Sequence, residues 1–339
     1  MKMASRLSVS VIIPTYNRAP LIVRALKSVL GQIGSDDEII VIDDGSTDNT
    51  AEVLQPFQAA IKYIRVPNKG AGAARNHGVS LATKDLIAFL DSDDEWMPGK
   101  LELHRAIMQA RPDILFTFSD FAITDKHEQV VRKNLRRWHN DPRPWSEILG
   151  PGTIYSTIAP LPTRIEDFSF YVGDLYPLEF QANYIFTGTL VVRREAGEAI
   201  HFAEDTPVFE DWECFGRLAQ KGPAGYLDIE TAWQYSHPGF RLTGTDILRS
   251  ALSRIKISER VWGNDTAFLQ KHSGLYQSVL EEQYLTVARQ YIAQGKKAEA
   301  ITALTSVPDA PFKLRALASL PAPLLRTFAA ARNLLKSPR

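Results

Sequence analysis

Between Val9 and Leu90, short apolar runs alternate with stretches of helical periodicity, and this alternation limits the possible folds more than any other feature of the chain. The apolar runs are Val9 to Ile13, Glu38 to Ile42, Ile61 to Val66 and Leu86 to Leu90. The periodic stretches are Pro20 to Leu30, Asp48 to Phe57 and Ala71 to Leu81. β-rich runs separated by amphipathic helices predict βα units feeding a mostly parallel central sheet with helices on its faces, an α/β fold.

Open α/β sheets place their ligands beyond the carboxyl ends of the strands. Two of the predicted strands end there in acids, Asp43-Asp44-Gly45-Ser46 and Asp91-Ser92-Asp93-Asp94. Carboxylates converging on one sheet edge repel one another, and a cation relieves the repulsion. On an extended segment residues two apart point the same way, so Asp91 and Asp93 are expected to face one site with Ser92 turned away.

The rest of the chain divides into three parts. From about 130 to 180 the pattern weakens into a stretch rich in Pro, Trp and Arg, read as a loop-dominated insertion. Asn183 to Val192 then reads as a strand, Phe209 to Gln220 as a helix and Ala224 to Ile229 as a strand returning to the sheet. From about Asp246 the pattern is helical, with segments near Ile247 to Val261, Tyr276 to Gln294, Ala298 to Leu304 and Phe312 to Leu335. A length of 339 residues fits roughly two domains, expected at 1–241 and 242–339.

Charge and cysteine content narrow the function classes. Lys plus Arg equals Asp plus Glu at 39 each, so no global positive field argues for nucleic acid. The single cysteine, Cys214, can form neither an intramolecular disulfide nor a multi-thiolate zinc site, which fits a reducing, cytoplasmic setting. The first apolar run is too short for a secretory leader, and no window of about 18 uncharged apolar residues predicts a membrane-spanning helix. A Walker phosphate loop is missing, and Gly70-Ala71-Gly72-Ala73-Ala74-Arg75 lacks the last glycine and the early position of a dinucleotide fingerprint, which disfavours ATP hydrolysis and hydride transfer.

Five ordered blocks carry a resemblance: Val9 to Arg18 with its Pro14-Thr15-Tyr16-Asn17 turn, Asp43 to Asp48, Gly70 to Asn76, Asp91 to Asp94, and Phe209-Glu210-Asp211-Trp212-Glu213. Together, over about Val9 to Arg241, they strongly resemble the family-2 nucleotide-sugar glycosyltransferases. The resemblance implies a GT-A fold with a C-terminal helical extension. It also implies inverting transfer of a sugar from a nucleoside diphosphate sugar, UDP-linked by expectation, to an acceptor hydroxyl. The residue chemistry suits this, because a departing diphosphate gathers negative charge that a hard divalent cation, Mn2+ or Mg2+, held by carboxylates can neutralise.

By the same resemblance Asp93 is the direct metal ligand, and Asp91 lies toward the ribose or the metal's waters. Pro14, Thr15, Tyr16, Asn17, Asp44, Arg75, Ser92, Gly188 and Arg241 complete the donor side. Asp44 stands where the family accepts a hydrogen bond from the uracil, and His237 stands near the diphosphate or on the metal. Asp211 resembles the family's proton acceptor, with Glu210 orienting it or binding the acceptor. Plainer roles stand beside these: a turn or cap for Asp44, a core aromatic for Tyr16, a helix-surface position for Arg75, and first-turn helix acids for Glu210, Asp211 and Glu213.

The Val130 to Phe180 insertion and the C-terminal helices are expected to shape the acceptor site, and both fall outside the resemblance, so acceptor identity does too. The expected setting is bacterial cell-surface polysaccharide or lipopolysaccharide assembly, with a glycan or glycolipid acceptor and, as a lesser option, a protein. The segment from Pro311 to Arg339 carries Lys313, Arg315, Arg326, Arg332, Lys336 and Arg339 and no acid. It could lie peripherally on the inner face of the cell membrane or pack as an ordinary helix with a basic face. Two other classes compete, a non-catalytic nucleotide-sugar or glycan-binding module on the same fold and a nucleotidyltransferase. The second expects a glycine- and arginine-rich loop after the first strand, where this chain reads Pro14 to Arg18.

Overall fold

A computed structural model describes residues 6–124, 129–235, 246–321 and 324. The chain divides into two compact units, one of residues 1–204 with 210–239 and one of residues 205–209 with 240–339.

The first unit begins with β1 (Val9–Thr15), α1 (Ala19–Leu30), β2 (Glu38–Asp43), α2 (Thr50–Leu54), β3 (Lys62–Arg65), α3 (Ala71–Leu81) and β4 (Leu86–Phe89). It continues with β5 (Glu95–Trp96), α4 (Lys100–Ala110), β6 (Phe116–Thr124), β7 (Val130–Val131), α5 (Leu135–His139), α6 (Trp145–Ile148), β8 (Thr153–Ile154), β9 (Ser169–Gly173) and α7 (Tyr176–Glu179). The last elements are β10 (Val191–Arg193), α8 (Glu210–Lys221) and β11 (Ala224–Tyr235). The strands form one sheet in the order β3-β2-β1-β4-β10-β6-β11-β9-β8, with β5 on β11 and β7 on β6.

The expected sheet is present, and it is mixed. β3, β2, β1 and β4 run parallel, as do β6 and β11. β10 is antiparallel to both β4 and β6, and β9 is antiparallel to β11. The chain moves outward from β1 to β3 and then returns to place β4 on the other side of β1. The β1/β4 boundary is therefore a topological switch point, the position where such sheets bind ligands. β1, β2 and β4 are almost wholly buried, so the apolar runs are core strands covered on both faces.

Glycine sets the seat of α3. A Cβ on Gly78 would lie 2.5 Å from the Ile12 side chain, and one on Gly72 would lie 2.2 Å from the Ala203 carbonyl oxygen. Only hydrogen at these positions lets the helix approach β1 and the 199–204 segment so closely.

Beyond β4 the structure departs from the sequence expectations. No element is expected between Leu90 and Val130, yet α4 and β6 lie there, and β6 is a central strand. The expected strand from Asn183 to Val192 is extended only at Val191–Arg193, because Thr187–Thr189 is a 3-10 turn closed by Thr189 N–H donating to the Phe186 carbonyl. The insertion is not merely loop, since β8 and β9 extend the sheet through it. The helix expected over Asp48 to Phe57 is a single α-helical turn followed by a 3-10 turn.

The second unit holds α9 (Ile247–Val261), α10 (Thr266–Ala293), α11 (Lys297–Thr305) and α12 (Phe312–Ser319). Its core gathers Ala251 and Ile255 with Val287, Ala288, Ile292, Ala300, Ala303 and Leu304. No described helix is long and apolar enough to cross a membrane. The Phe312 to Leu335 expectation is met over α12, and most of the remainder lies outside the described residues.

Candidate active site

The acids of the strand-end motifs lie at the carboxyl ends of the parallel strands. Asp43 and Asp44 end β2, Thr15 ends β1, and Asp91 to Asp94 follow β4. The Asp91 to Asp94 segment is not extended, which corrects the alternation argument. The Asp94 N–H donates to the Asp91 carbonyl at 3.1 Å and closes a turn, leaving Asp91 and Asp93 half-buried and Ser92 and Asp94 buried.

Each of the two half-buried aspartates faces an arginine. Arg75, from α3, reaches Asp91 at 2.6 Å and Glu210 at 2.9 Å. Arg18 lies 3.5 Å from the Asp93 carboxylate, and Arg24 donates to the Asp93 carbonyl at 2.7 Å. Arg75 is not the helix-surface arginine of the plainer reading. It is buried and lies 5.2 Å from the Phe202 ring, with its Nε unpaired. Burial works against its charge, but Asp91, Glu210 and Asp211 hold it above the ordinary arginine value. Burial likewise pushes the Asp91 carboxyl up; Arg75 opposes the shift, and the nearby Asp93 charge adds to it.

The acid pair on α8 completes this network. Phe209 precedes it with a φ of 64°, rare for a bulky side chain and costing on the order of 1–3 kcal/mol, so the entry to Glu210 is strained. Asp211 Oδ2 accepts a hydrogen bond from the Thr187 hydroxyl at 3.0 Å. Its carboxyl is pushed up to about 7, chiefly by burial and then by the Glu210 charge, with Arg75 and the Thr187 bond opposing. A carboxylate poised near neutrality suits proton acceptance. Being first-turn helix acids does not exclude this, because both acids also bond outside α8.

The donor-side residues take different positions. Thr15 is buried with its hydroxyl unpaired, an orphaned polar atom at the end of β1. Tyr16 is 45% exposed, so it is not a core aromatic, and Pro14 beside it is buried. Asn17, at φ 52°, spends its amide oxygen on the backbone N–H groups of Thr47 and Asp48, a loop-holding role in place of the expected ligand contact. Asp44 accepts from the backbone N–H groups of Lys69 and Gly70 at 2.8 Å each, so it also fixes the loop ahead of α3. Beside it opens a cavity of about 380 Å³ lined by Lys69, Asn76, His77 and Glu204 among others. Gly188 lies in the 3-10 turn beside Thr187. His237 and Arg241 lie outside the described residues.

The donor set at the acidic turn fits a hard divalent cation. Asp91 and Asp93 offer carboxylate oxygens and leave most of the coordination sphere to water and phosphate oxygens. Among the described residues, no group of three His, Cys, Asp or Glu side chains is arranged to hold a metal.

The insertion, expected to shape the acceptor site, packs its aromatic residues against β6, β11 and the 184–186 segment ahead of Thr187. Phe186 stacks on Phe121 at 4.3 Å between centroids and meets Trp138 at 6.1 Å. Trp145 stacks on Tyr226 at 3.8 Å, and His139 stacks on Tyr184 at 4.4 Å. The Trp212 indole donates to the Glu179 carbonyl at 2.7 Å, tying α8 to α7. The sequence signal for this aromatic cluster is the density of Trp, Tyr and Phe between 138 and 186.

Comparison with known proteins bears on family and fold. Residues 10–171 match the family described as Glycosyl transferase family 2. The putative teichuronic acid biosynthesis glycosyltransferase TuaG of Bacillus subtilis is 39% identical over 119 residues, covering 34% of this chain and 47% of TuaG. The Escherichia coli UDP-Glc:alpha-D-GlcNAc-diphosphoundecaprenol beta-1,3-glucosyltransferase WfgD is 38% identical over 124 residues, covering 36% of this chain and 49% of WfgD. The chain thus spans less than half the length of either relative. Staphylococcus aureus TarS, residues 1–349 with UDP-GlcNAc, superposes with a TM-score of 0.58 at 17% identity, over 96% of this chain and 88% of that one. At that identity the likeness shows the fold alone.

Proposed function

We propose, from the premise that this chain belongs to glycosyl transferase family 2 and has the GT-A fold, that it moves a sugar from a UDP-sugar to an acceptor hydroxyl with inversion. The setting is bacterial cell-surface polysaccharide assembly. The observation that carries the reading is Asp211: a carboxylate raised to about 7, held by Thr187, on the helix whose Glu210 shares Arg75 with Asp91. A binding module would not need a base tuned in this way.

In this reading the acceptor oxygen attacks the anomeric carbon as its proton passes to Asp211. The bond from that carbon to the diphosphate breaks, and the electron pair leaves with the diphosphate. Asp93, with Asp91, would hold Mn2+ or Mg2+, which when bound supplies positive charge to the departing diphosphate. Arg75 and Arg18 are placed to shift from the aspartates toward the phosphates as the donor enters. Thr15, with its orphaned hydroxyl, and exposed Tyr16 meet the nucleoside, and Ser92 and Gly188 line the donor path. Arg241 and His237 are assigned to the diphosphate side on resemblance alone.

Support for a UDP donor and a lipid-linked or polymeric acceptor comes from what the relatives are named for. WfgD uses UDP-Glc on a diphosphoundecaprenol acceptor, and TuaG is assigned to teichuronic acid biosynthesis. The first unit carries the chemistry in this reading, while the second, with Lys313 and Arg315 beside 83%-exposed Phe312, supplies peripheral contact with an anionic membrane surface.

The test is calorimetric binding of UDP, with GDP and CDP for comparison, each with Mn2+ and with chelator. Metal-dependent binding of UDP above the others, followed by transfer from a UDP-sugar that Asp211→Asn abolishes, supports the reading. Nucleotide binding with no transfer to any glycan or glycolipid acceptor would favour the binding module.

A further inference from the structure

The hydroxyl that meets Asp211 belongs to a turn locked from behind. Three residues, Thr187, Gly188 and Thr189, form it, and two donors from the β5–α4 region seize its carbonyls. The Trp96 indole donates to the Gly188 carbonyl at 3.0 Å, and the Lys100 amine donates to the Thr189 carbonyl at 2.8 Å. The Thr189 hydroxyl and backbone N–H both donate to the Phe186 carbonyl at 2.8 Å. A Cβ on Gly188 would come within 2.8 Å of the Phe186 ring.

Lys100 is an unusual donor for this purpose. It is fully buried on α4 with the Trp96 ring at 5.2 Å, and its amine donates to the Thr189 carbonyl. Burial pushes its amine well below the ordinary lysine value. A buried lysine is costly to retain for packing alone, since an apolar side chain of equal length fills the space without desolvating an amine. The residue that benefits is Thr187, whose hydroxyl this anchorage fixes in direction.

We propose that Thr187 is the positioning residue for the catalytic base. Its hydroxyl donates to Asp211 Oδ2 and leaves Oδ1, which takes no hydrogen bond from the described residues, to receive the acceptor proton. Trp96 and Lys100 hold the turn that presents it. This rests on the reading of Asp211 as the proton acceptor. A hydrogen bond donated to the ionised carboxylate favours the form able to take a proton and fixes the plane of the carboxyl group. The charged groups facing Asp211 are Glu210 on its own helix, Arg75 on α3 and Asp91 after β4. Glu210 and Asp91 raise its pKa and Arg75 lowers it, so Thr187 is the neutral donor in the set.

The experiment measures transfer against pH for the wild type, Thr187→Val, Thr187→Ser and Asp211→Asn, with melting temperature and UDP affinity recorded for each. Thr187→Val keeps the shape and removes the donor. Its kcat at pH 7 is expected to fall on the order of tenfold, with the acidic limb moved up by about one unit and donor KM within about twofold. Thr187→Ser restores both. Lys100→Met and Trp96→Phe lower kcat in the same direction by less. If Asp211→Asn is inactive while Thr187→Val keeps the wild-type rate and limb, the positioning role is overturned and the base stands. Equal losses in Thr187→Val and Thr187→Ser assign the effect to packing and also overturn it. An active Asp211→Asn overturns the base itself.

Discussion

The two halves of the sheet are built on different terms. The β3-β2-β1-β4 half is parallel and built from successive βα units, with β1–β2 and β2–β3 pairing residues fewer than 30 positions apart and β4 returning to set Leu86 beside Val9. The β10-β6-β11-β9-β8 half is mixed, and its central β6–β11 pair joins residues about a hundred positions apart, as in the Ser119 to Thr231 hydroxyl pair at 2.6 Å. In the proposed function, nucleotide recognition is assigned to the first half and the base Asp211 to the second. Substitutions on the two sides should therefore separate binding from turnover.

The largest separation is expected at Asp211. Asp211→Asn should lower kcat about a thousandfold, within the range for loss of a general base, and leave UDP affinity near the wild type. Parallel kinetics and calorimetry would check this, and a matching loss of UDP affinity would dissolve the distinction between the halves. On the donor side, Asp93→Ala should weaken metal-dependent UDP binding about a hundredfold, the scale of losing a carboxylate ligand, while Asp94→Ala, one residue on, has a far smaller effect. Equal effects from the two would remove Asp93 as a ligand.

The donor half also depends on close helix packing. Gly72→Val should cost about 2–3 kcal/mol in urea unfolding, because its side chain meets the Ala203 carbonyl and α3 must shift. Arg75 rides on that helix, so UDP affinity should fall with it.

The pH dependence sharpens the contrast further. With its carboxyl raised to about 7, Asp211 is protonated below that value and cannot accept a proton. Transfer should therefore fall as pH drops through about 7, while UDP binding by the other half should not follow that limb. The same shift bears on stability. The folded-state value lies above the unfolded one, so the folded form binds the extra proton and loses that stabilisation as pH rises toward 7. At pH 8, Asp211→Asn should accordingly melt about 2–4 °C above the wild type, roughly 1 kcal/mol, and the gap should narrow near pH 4. The smallest effect is expected at Trp138. Trp138→Ala should raise acceptor KM a few-fold with donor KM unchanged, measured with saturating donor.

The same contrast explains what could be read before the structure. Local signals describe the first half well. α3 spans Ala71–Leu81 in both sequence and structure, and the strand ends at Asp43 and near Asp91 fall where the apolar runs stop. β6 was not legible because it carries Thr117, Ser119 and Asp120 into the core. Asp120 is accommodated there by the backbone N–H groups of Phe121 and Leu135, and the latter lies 15 residues on in the insertion. No window of sequence displays such a partner. The 187–189 turn escaped for a related reason, since Trp96 and Lys100 that lock it come from about ninety residues earlier.

Within the site, residue types were legible and their pairings were not. Arg75 and the α8 acids stand out as motifs, but the bridge from Asp91 through Arg75 to Glu210 needs α3 seated on β1 by Gly78 and against Ala203 by Gly72. Asn17 and Asp44 show the converse. Their side chains look free for ligand in the sequence, and in the structure both are bonded to backbone N–H groups of neighbouring loops.

The most direct test of this division of labour is calorimetric titration of UDP in Mn2+ into Asp93→Ala and Asp211→Asn side by side, with sugar transfer measured on the same samples. The account predicts that Asp93→Ala loses UDP binding and transfer together, and that Asp211→Asn binds UDP as the wild type does and transfers nothing measurable. Unimpaired transfer by Asp211→Asn, or equal loss of UDP affinity in both variants, would contradict it.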